Sequence, residues 1–278
     1  MFSGSRGRYQ GWQRIEQRAS MANEADIFAT PTDVSSIDEC VFYHTIDLPG
    51  IGTVQGRWDL RPTVEAYLGN YNFNHKKVLE IGPASGFLTF HMEEAGAHEI
   101  TAVDLPLEAG YTWDYVPYAQ LDFQKIAERR TTALMKIRNS FWFSHKLRSS
   151  RAKVYYGSAY DLPQQLGRFH AATFGSVLLH TQNPLSILQE CSKFVDETMI
   201  VTEVFHKNLT GQPICRLKPT PEKPLFDTWW EFSPDLFSRF LSILGFVEQK
   251  ITYSKQKSNV NDKVIDMFTI VASRSTQR

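Results

Sequence analysis

Cysteine is nearly absent. The 278 residues hold three, Cys40, Cys191 and Cys215. They lie too far apart to suggest a zinc site or a disulfide framework. No other clustered set of metal ligands stands out, so no metal is expected. Net charge is absent as well, because 30 basic residues meet 30 acidic ones. A chain without a global field has no general pull toward nucleic acid or an anionic membrane. Long apolar runs are missing too, and none approaches the roughly 20 residues that cross a bilayer. The start of the sequence lacks the apolar core of a signal peptide. The expected setting is therefore cytoplasmic and reducing, with no membrane partner and an idle Asn208-Leu209-Thr210 sequon. No Gly-Lys-Ser/Thr closes a glycine-rich turn, which excludes a phosphate-binding P-loop.

What is present centres on residues 78–90, VLEIGPASGFLTF. Val78, Leu79 and Ile81 make an apolar strand that carries a carboxylate at Glu80. A turn of small residues follows, Gly82, Pro83, Ala84, Ser85 and Gly86. Apolar residues then resume at helical spacing from Phe87. Glycine lets a backbone approach a ligand closely, and a helix start offers N–H groups. Asp104 ends a second apolar strand about twenty residues later, where a carboxylate can accept two ribose hydroxyls. A dinucleotide fingerprint would read G-x-G-x-x-G, whereas this turn has Gly82, Ala84 and Gly86.

The spacing of Glu80, Gly82, Ala84 and Gly86 resembles the first motif of the class I S-adenosylmethionine-dependent methyltransferases, (D/E)-x-G-x-G-x-G, with Ala84 replacing the middle glycine. The resemblance implies an α/β, Rossmann-like fold with a seven-stranded sheet of order 3-2-1-4-5-7-6. It also implies S-adenosylmethionine as cofactor, held by Glu80, Gly82, Ala84, Ser85, Gly86, Asp104 and Leu105. Further along, the stretch from Gly157 to Pro163 is similar to G-D-A-x-x-L-P. Ser158 stands where that pattern has its adenine-binding aspartate, and the Ala159 backbone is the other candidate. Gly175, on the fourth strand, is assigned to the cofactor as well. His180 matches the histidine of V-L-Y-H-x-x-x-P-L, with Leu179 replacing tyrosine, so the resemblance sets it beside the methyl donor as the candidate base. Upstream, Trp58-Asp59-Leu60-Arg61-Pro62 resembles a W-D-x-R-P segment of the group that includes the tRNA wobble-uridine enzymes. By that likeness Trp58 packs near the cofactor and Arg61 or Arg57 meets an anionic group.

The organisation expected is an N-terminal arm and cap over 1–55, then a methyltransferase domain over 56–278. The arm carries Arg6, Arg8, Arg14 and Arg18. Short strands are expected at 40–45, 78–81, 99–103, 153–156, 171–176 and 199–204, with a final hairpin of 246–253 and 264–272. Helices are expected at 63–68, 87–95, 184–194 and 235–244. A helical insertion, 106–152, separates the second and third strands of the sheet. It opens on Tyr111, Trp113, Tyr115 and Tyr118 and continues as a helix over 123–144. Between 121 and 155 nine basic residues face only Asp122 and Glu128. They form either an electropositive lid for an acidic substrate or a solvated face balanced by acids elsewhere. Trp113, Tyr115, Arg138, Trp229 and Trp230 are the candidate walls of the substrate pocket.

S-adenosylmethionine carries an activated methyl, so the protein must align the acceptor, exclude water and manage a proton. The Asn/Asp-Pro-Pro-Tyr/Phe signature of amide-acceptor enzymes is missing after the fourth strand. Three readings remain. The first is methyl transfer to a hydroxyl, carboxyl or amine of a small molecule, such as a sugar or natural-product intermediate, with an anionic substrate among the options. The second is a tRNA wobble-uridine enzyme. The third is a non-catalytic cofactor-binding protein.

Overall fold

A computed structural model describes residues 27–107 and 113–275. Four arginines of the arm (6, 8, 14 and 18) and Tyr111 lie outside the described residues. The strands are β1 (Ile46–Leu48), β2 (Gly52–Val54), β3 (Trp58–Asp59), β4 (Lys77–Ile81), β5 (Glu99–Asp104), β6 (Lys153–Tyr156), β7 (Phe169–Gly175), β8 (Val195–Val204), β9 (Cys215–Leu217), β10 (Trp230–Phe232), β11 (Phe246–Ser258) and β12 (Val264–Arg274). The helices are α1 (Val64–Tyr67), α2 (Phe87–Glu94), α3 (Phe123–Arg148), α4 (Pro184–Ser192) and α5 (Pro234–Ile243).

The central sheet runs β6-β5-β4-β7-β8-β12-β11, which is the order 3-2-1-4-5-7-6. Strands β4 to β8 are parallel, and β12 lies antiparallel to both β8 and β11. The two-residue β3 adds an eighth strand beyond β11. Parallel strands covered on both faces read as nearly continuous apolar runs, and β4 is such a strand. Its Val78 joins the core under α2 and α3, with Phe90, Phe141 and Trp142. Its neighbour Leu79 joins the opposite core, with Ile187, Leu188 and Cys191 of α4 and Phe237 and Leu241 of α5. Alternation along one strand thus feeds two apolar layers.

Several expected bounds move. The strand expected at 40–45 is reduced to a bridge between His44 and Trp58, and the turn at Pro49-Gly50 closes the β1–β2 hairpin. Residues 254–258, expected as loop, continue β11. Their polar side chains suit an outer strand with one wet face. The expected helix at 63–68 becomes a 3-10 turn, Arg61–Thr63, followed by the single turn of α1. Helix α3 runs four residues past 144, and the basic residues of its last turn complement its C-terminal end. His170, left without a chemical role, accepts the backbone N–H of Lys77 at 2.8 Å. Among the described residues no helix is long and apolar enough to cross a membrane.

Candidate functional site

The site forms where the parallel strands end. After β4 the backbone takes positive φ at Gly82 (76°), Ala84 (49°) and Gly86 (86°). Ala84 is the residue with a steric cost there, about 1 kcal/mol. A Cβ on Gly86 would lie 2.5 Å from the Phe90 ring, so close packing of α2 requires glycine. The Gly82 N–H donates to the Val103 carbonyl at 2.9 Å, which brings the turn against the end of β5. Asp104 follows Val103. Its Oδ1 accepts the Leu105 N–H at 2.9 Å, and burial pushes its pKa up to about 6. Glu80 is fully buried, accepts the Thr89 hydroxyl at 2.5 Å, and is pushed up to about 7 by burial. The structure therefore gives Glu80 to the first turns of α2.

Arg138, expected on the substrate side, lies at the Asp104 end instead. Its guanidinium covers the Tyr156 ring at 3.6 Å and donates to the Leu105 carbonyl at 2.8 Å. Thirty-four residues after Asp104 in the chain, on α3, it reaches the strand ends because the helix packs its Phe141–Trp142 face on the sheet. Ser158 accepts the Tyr160 N–H at 3.2 Å in the exposed loop after β6, with Ala159 beside it. Gly175 admits Tyr67, whose hydroxyl bonds Ser176 at 3.1 Å; a Cβ there would meet that oxygen at 3.3 Å.

A segment preceding the sheet lies over the turn. Ser85 Oγ accepts the N–H groups of Tyr43 and His44 at 3.1 and 3.2 Å. Trp58 holds this segment from behind: its N–H reaches the Tyr43 carbonyl at 3.1 Å and its carbonyl accepts from Thr45 at 2.7 Å. Gly56 permits the approach, since a Cβ would fall 2.2 Å from the His44 carbonyl carbon. Arg61 departs from its expected role. Its guanidinium is engaged by Asp59 at 2.8 Å and Asp47 at 2.9 Å. Two carboxylates already satisfy the charge that was expected to meet a ligand.

On the other side of the turn, β7 leads into a 3-10 turn, Leu178–His180. Glu203, buried at the end of β8, accepts the N–H groups of Leu178 and Leu179 at 3.0 and 3.2 Å. His180 Nδ1 bonds the Asp227 carbonyl. A carbonyl only accepts, so Nδ1 carries the proton and Nε2 keeps its lone pair. Burial lowers the His180 pKa, with the Asp227 contacts opposing it. The Trp113 ring lies 6.2 Å from the imidazole, and the Arg130 guanidinium covers Trp113 at 4.2 Å. Arg130 Nη1 pairs with Asp227 at 3.1 Å. Tyr115 and Tyr43 both lie within electrostatic reach of Arg130 and Asp227. Trp229 donates its indole N–H to the Asp114 carbonyl at 2.6 Å, and Trp230 donates to Thr181 at 3.0 Å. The two indoles therefore tie the insertion to the 178–181 turn.

No protein-family profile and no curated protein matches the sequence. Solved structures do. The N-terminal domain of EvdMO1, determined in the presence of SAH and D-fucose, is similar over 94% of this chain and 97% of its own, at 16% identity and a TM-score of 0.50. The same domain with SAH bound gives 15% identity, the same coverage and a TM-score of 0.50. With the strand order already described, the fold is settled. This is the class I methyltransferase fold. A 1,6-didemethyltoxoflavin-N1-methyltransferase of Burkholderia thailandensis is also similar, at 16% identity over 99% of this chain and 92% of that one, with a TM-score of 0.44.

Four residues around this methyltransferase-fold site were missed or given other work in the sequence. Tyr43 and Asp227 sit in irregular segments with no motif. Glu203 had a usable signal, a lone carboxylate in the apolar run from Met199 to Val204. Arg130 belongs to the basic insertion, most of whose cations lie against carboxylates. Six of the nine cations, Lys125, Arg130, Lys146, Arg148, Arg151 and Lys153, lie against carboxylates.

Proposed function

We propose that this chain binds S-adenosylmethionine and transfers its methyl to a hydroxyl, carboxyl or amine of a small molecule. One observation carries the reading: the left-handed turn after β4 is bonded to the end of β5, next to the partly buried carboxylate of Asp104. That pairing suits a ribose held by its hydroxyls beside a chain that passes over glycine. Gly82, Ala84, Ser85 and Gly86 would line the turn, with Asp104 and Leu105 at the ribose and Ser158 and Ala159 at the adenine. Tyr43 and His44, clamped on Ser85, would cover it. When bound, S-adenosylmethionine would supply an electrophilic sulfonium methyl, bonded by an acceptor lone pair as its C–S bond breaks and the electron pair leaves with sulfur as a neutral thioether.

The chain's own contribution lies on the acceptor side. His180 Nε2 takes the proton of a hydroxyl or amine acceptor, while Nδ1–H stays on the Asp227 carbonyl and fixes the ring. Glu203 holds the turn that carries His180. Trp113, Trp229 and Trp230 provide apolar walls that exclude water. The D-fucose named with the EvdMO1 domain supports a sugar-type acceptor. The ion pairs of the insertion leave little free positive field for a tRNA backbone, which favours the small-molecule reading over the tRNA one.

Titration calorimetry with S-adenosylmethionine and its demethylated product tests this. Binding in the low-micromolar range, on the order of −8 kcal/mol, is expected for both. Tight binding of NAD with none of the methyl donor would overturn the assignment.

A further inference from the structure

The group of side chains beyond His180 has a specific chemical character. Arg130 and Asp227 form an ion pair at 3.1 Å, each side chain about one quarter exposed at 25% and 26%. Its charges cancel, so the site as a whole offers an anion little net attraction. Two donors in it are buried without a hydrogen-bond partner among the described residues, the Arg130 Nε–H and the Trp113 indole N–H. Such orphaned donors are uncommon in folded proteins and call for an acceptor atom. The Asp227 carboxylate, whose Oδ2 pairs with Arg130 and whose Oδ1 accepts the Thr228 hydroxyl at 3.3 Å, keeps further lone pairs that can accept from a ligand. Trp113 adds a broad aromatic face, one side of which is taken by Arg130 at 4.2 Å.

Donors, a carboxylate acceptor and an aromatic wall within a few ångströms complement one class of molecule. A neutral compound with neighbouring hydroxyls both donates and accepts hydrogen bonds, and its C–H face packs on a ring. We propose that the Arg130–Asp227 pair, with Trp113, selects a neutral vicinal diol such as a carbohydrate ring, and rejects carboxylated or phosphorylated analogues. The inference rests on the methyl-transfer reading for its catalytic meaning, but recognition can be measured alone. Asp227 has a second role in the same place, because its backbone carbonyl holds His180. The pair that selects the acceptor is thus attached to the ring that takes its proton.

The test is saturation-transfer NMR on the full chain, with and without S-adenosylhomocysteine. The probes are methyl glycosides of glucose, galactose, mannose, xylose and rhamnose, set against glucuronate, galacturonate and glucose 6-phosphate. At least one neutral glycoside should bind, at least tenfold more tightly than any of the anions. Asp227→Asn leaves Arg130 uncompensated and should shift the ratio at least tenfold toward the anions. Arg130→Met should weaken the neutral glycosides without that shift. An anion that binds wild type best, or no binding by any neutral probe, overturns the proposal. That comparison needs no variant, so a variant that fails to fold leaves it intact. Binding of S-adenosylhomocysteine is measured in the same samples by calorimetry. If it binds and the glycosides do not, this inference fails and the methyl-transfer reading stands. If glycosides bind and it does not, the reverse holds.

Discussion

Asp104 and His180 both owe their properties to burial, with opposite consequences. A carboxylate that accepts ribose hydroxyls does so best when charged, and burial holds the Asp104 pKa up at about 6. Protonation therefore competes with the ligand. Affinity for S-adenosylhomocysteine should be level above that value and fall as pH drops through it, by about tenfold near pH 5. Asp104→Asn should remove the pH dependence and cost roughly 1–3 kcal/mol at pH 7.5. Calorimetry at two pH values checks both, and an unchanged slope in the variant would show that another group titrates. His180 is held neutral by the same desolvation. Its catalytic limb should lie below the ordinary imidazole value of about 6.5. His180→Ala should lower turnover by roughly 100-fold or more and leave cofactor affinity unchanged. The sequence pointed to both positions, to Asp104 because it closes an apolar strand and to His180 because its stretch resembles V-L-Y-H-x-x-x-P-L. It did not point to Asp227, because that residue's contribution to His180 is a backbone carbonyl, which any residue type could supply.

At the scale of elements, the sheet was legible and the segments laid over it were not. Strands β4, β5 and β6 declare themselves as apolar runs closed by Gly82, Asp104 and Gly157. The clamp of residues 43–45 over the turn has no such signature. It depends on a serine hydroxyl meeting two backbone donors and on a glycine at 56. Polar residues at 254–258 concealed the end of β11 for a related reason: an outer strand pairs by its backbone and leaves its side chains free to be polar. The clamp makes a sharp prediction. In Gly56→Ala the new methyl would lie 2.2 Å from the His44 carbonyl carbon and 2.6 Å from the Thr45 nitrogen. Backbone atoms cannot rotate away, so the segment must move off Ser85. A loss of about 1–3 kcal/mol is expected for such overpacking, with weaker S-adenosylhomocysteine binding. Denaturant unfolding that matches wild type would show that the segment yields without cost.

Across the whole molecule, burial raises the pKa of three carboxylates among the described residues, Glu80 and Glu203 inside the sheet and the partly buried Asp104 at the end of β5. Glu80 is pushed up to about 7, Asp104 to about 6 and Glu203 to about 8. In the unfolded chain such groups titrate near 4. Between those limits the folded state binds more protons than the unfolded one, so stability falls as pH rises. Their contribution is complete below about pH 4 and is lost as pH climbs through about 6, 7 and 8 in turn. His44 works in the other direction. It is buried and lowered to about 3, so its contribution is complete above about 6.5 and is lost as pH falls through 3. The two trends oppose each other in the mildly acidic range and leave the carboxylates in control above neutrality. Glu203→Gln isolates the largest of them. Glutamine keeps an oxygen to accept the Leu178 and Leu179 N–H groups and has no proton to lose. The variant should match wild type near pH 4, exceed it increasingly up to about pH 8 and keep that margin above it, measured by urea unfolding at each pH. A constant difference across that range would mean that Glu203 is charged in the folded protein, held by its two N–H donors against the cost of burial.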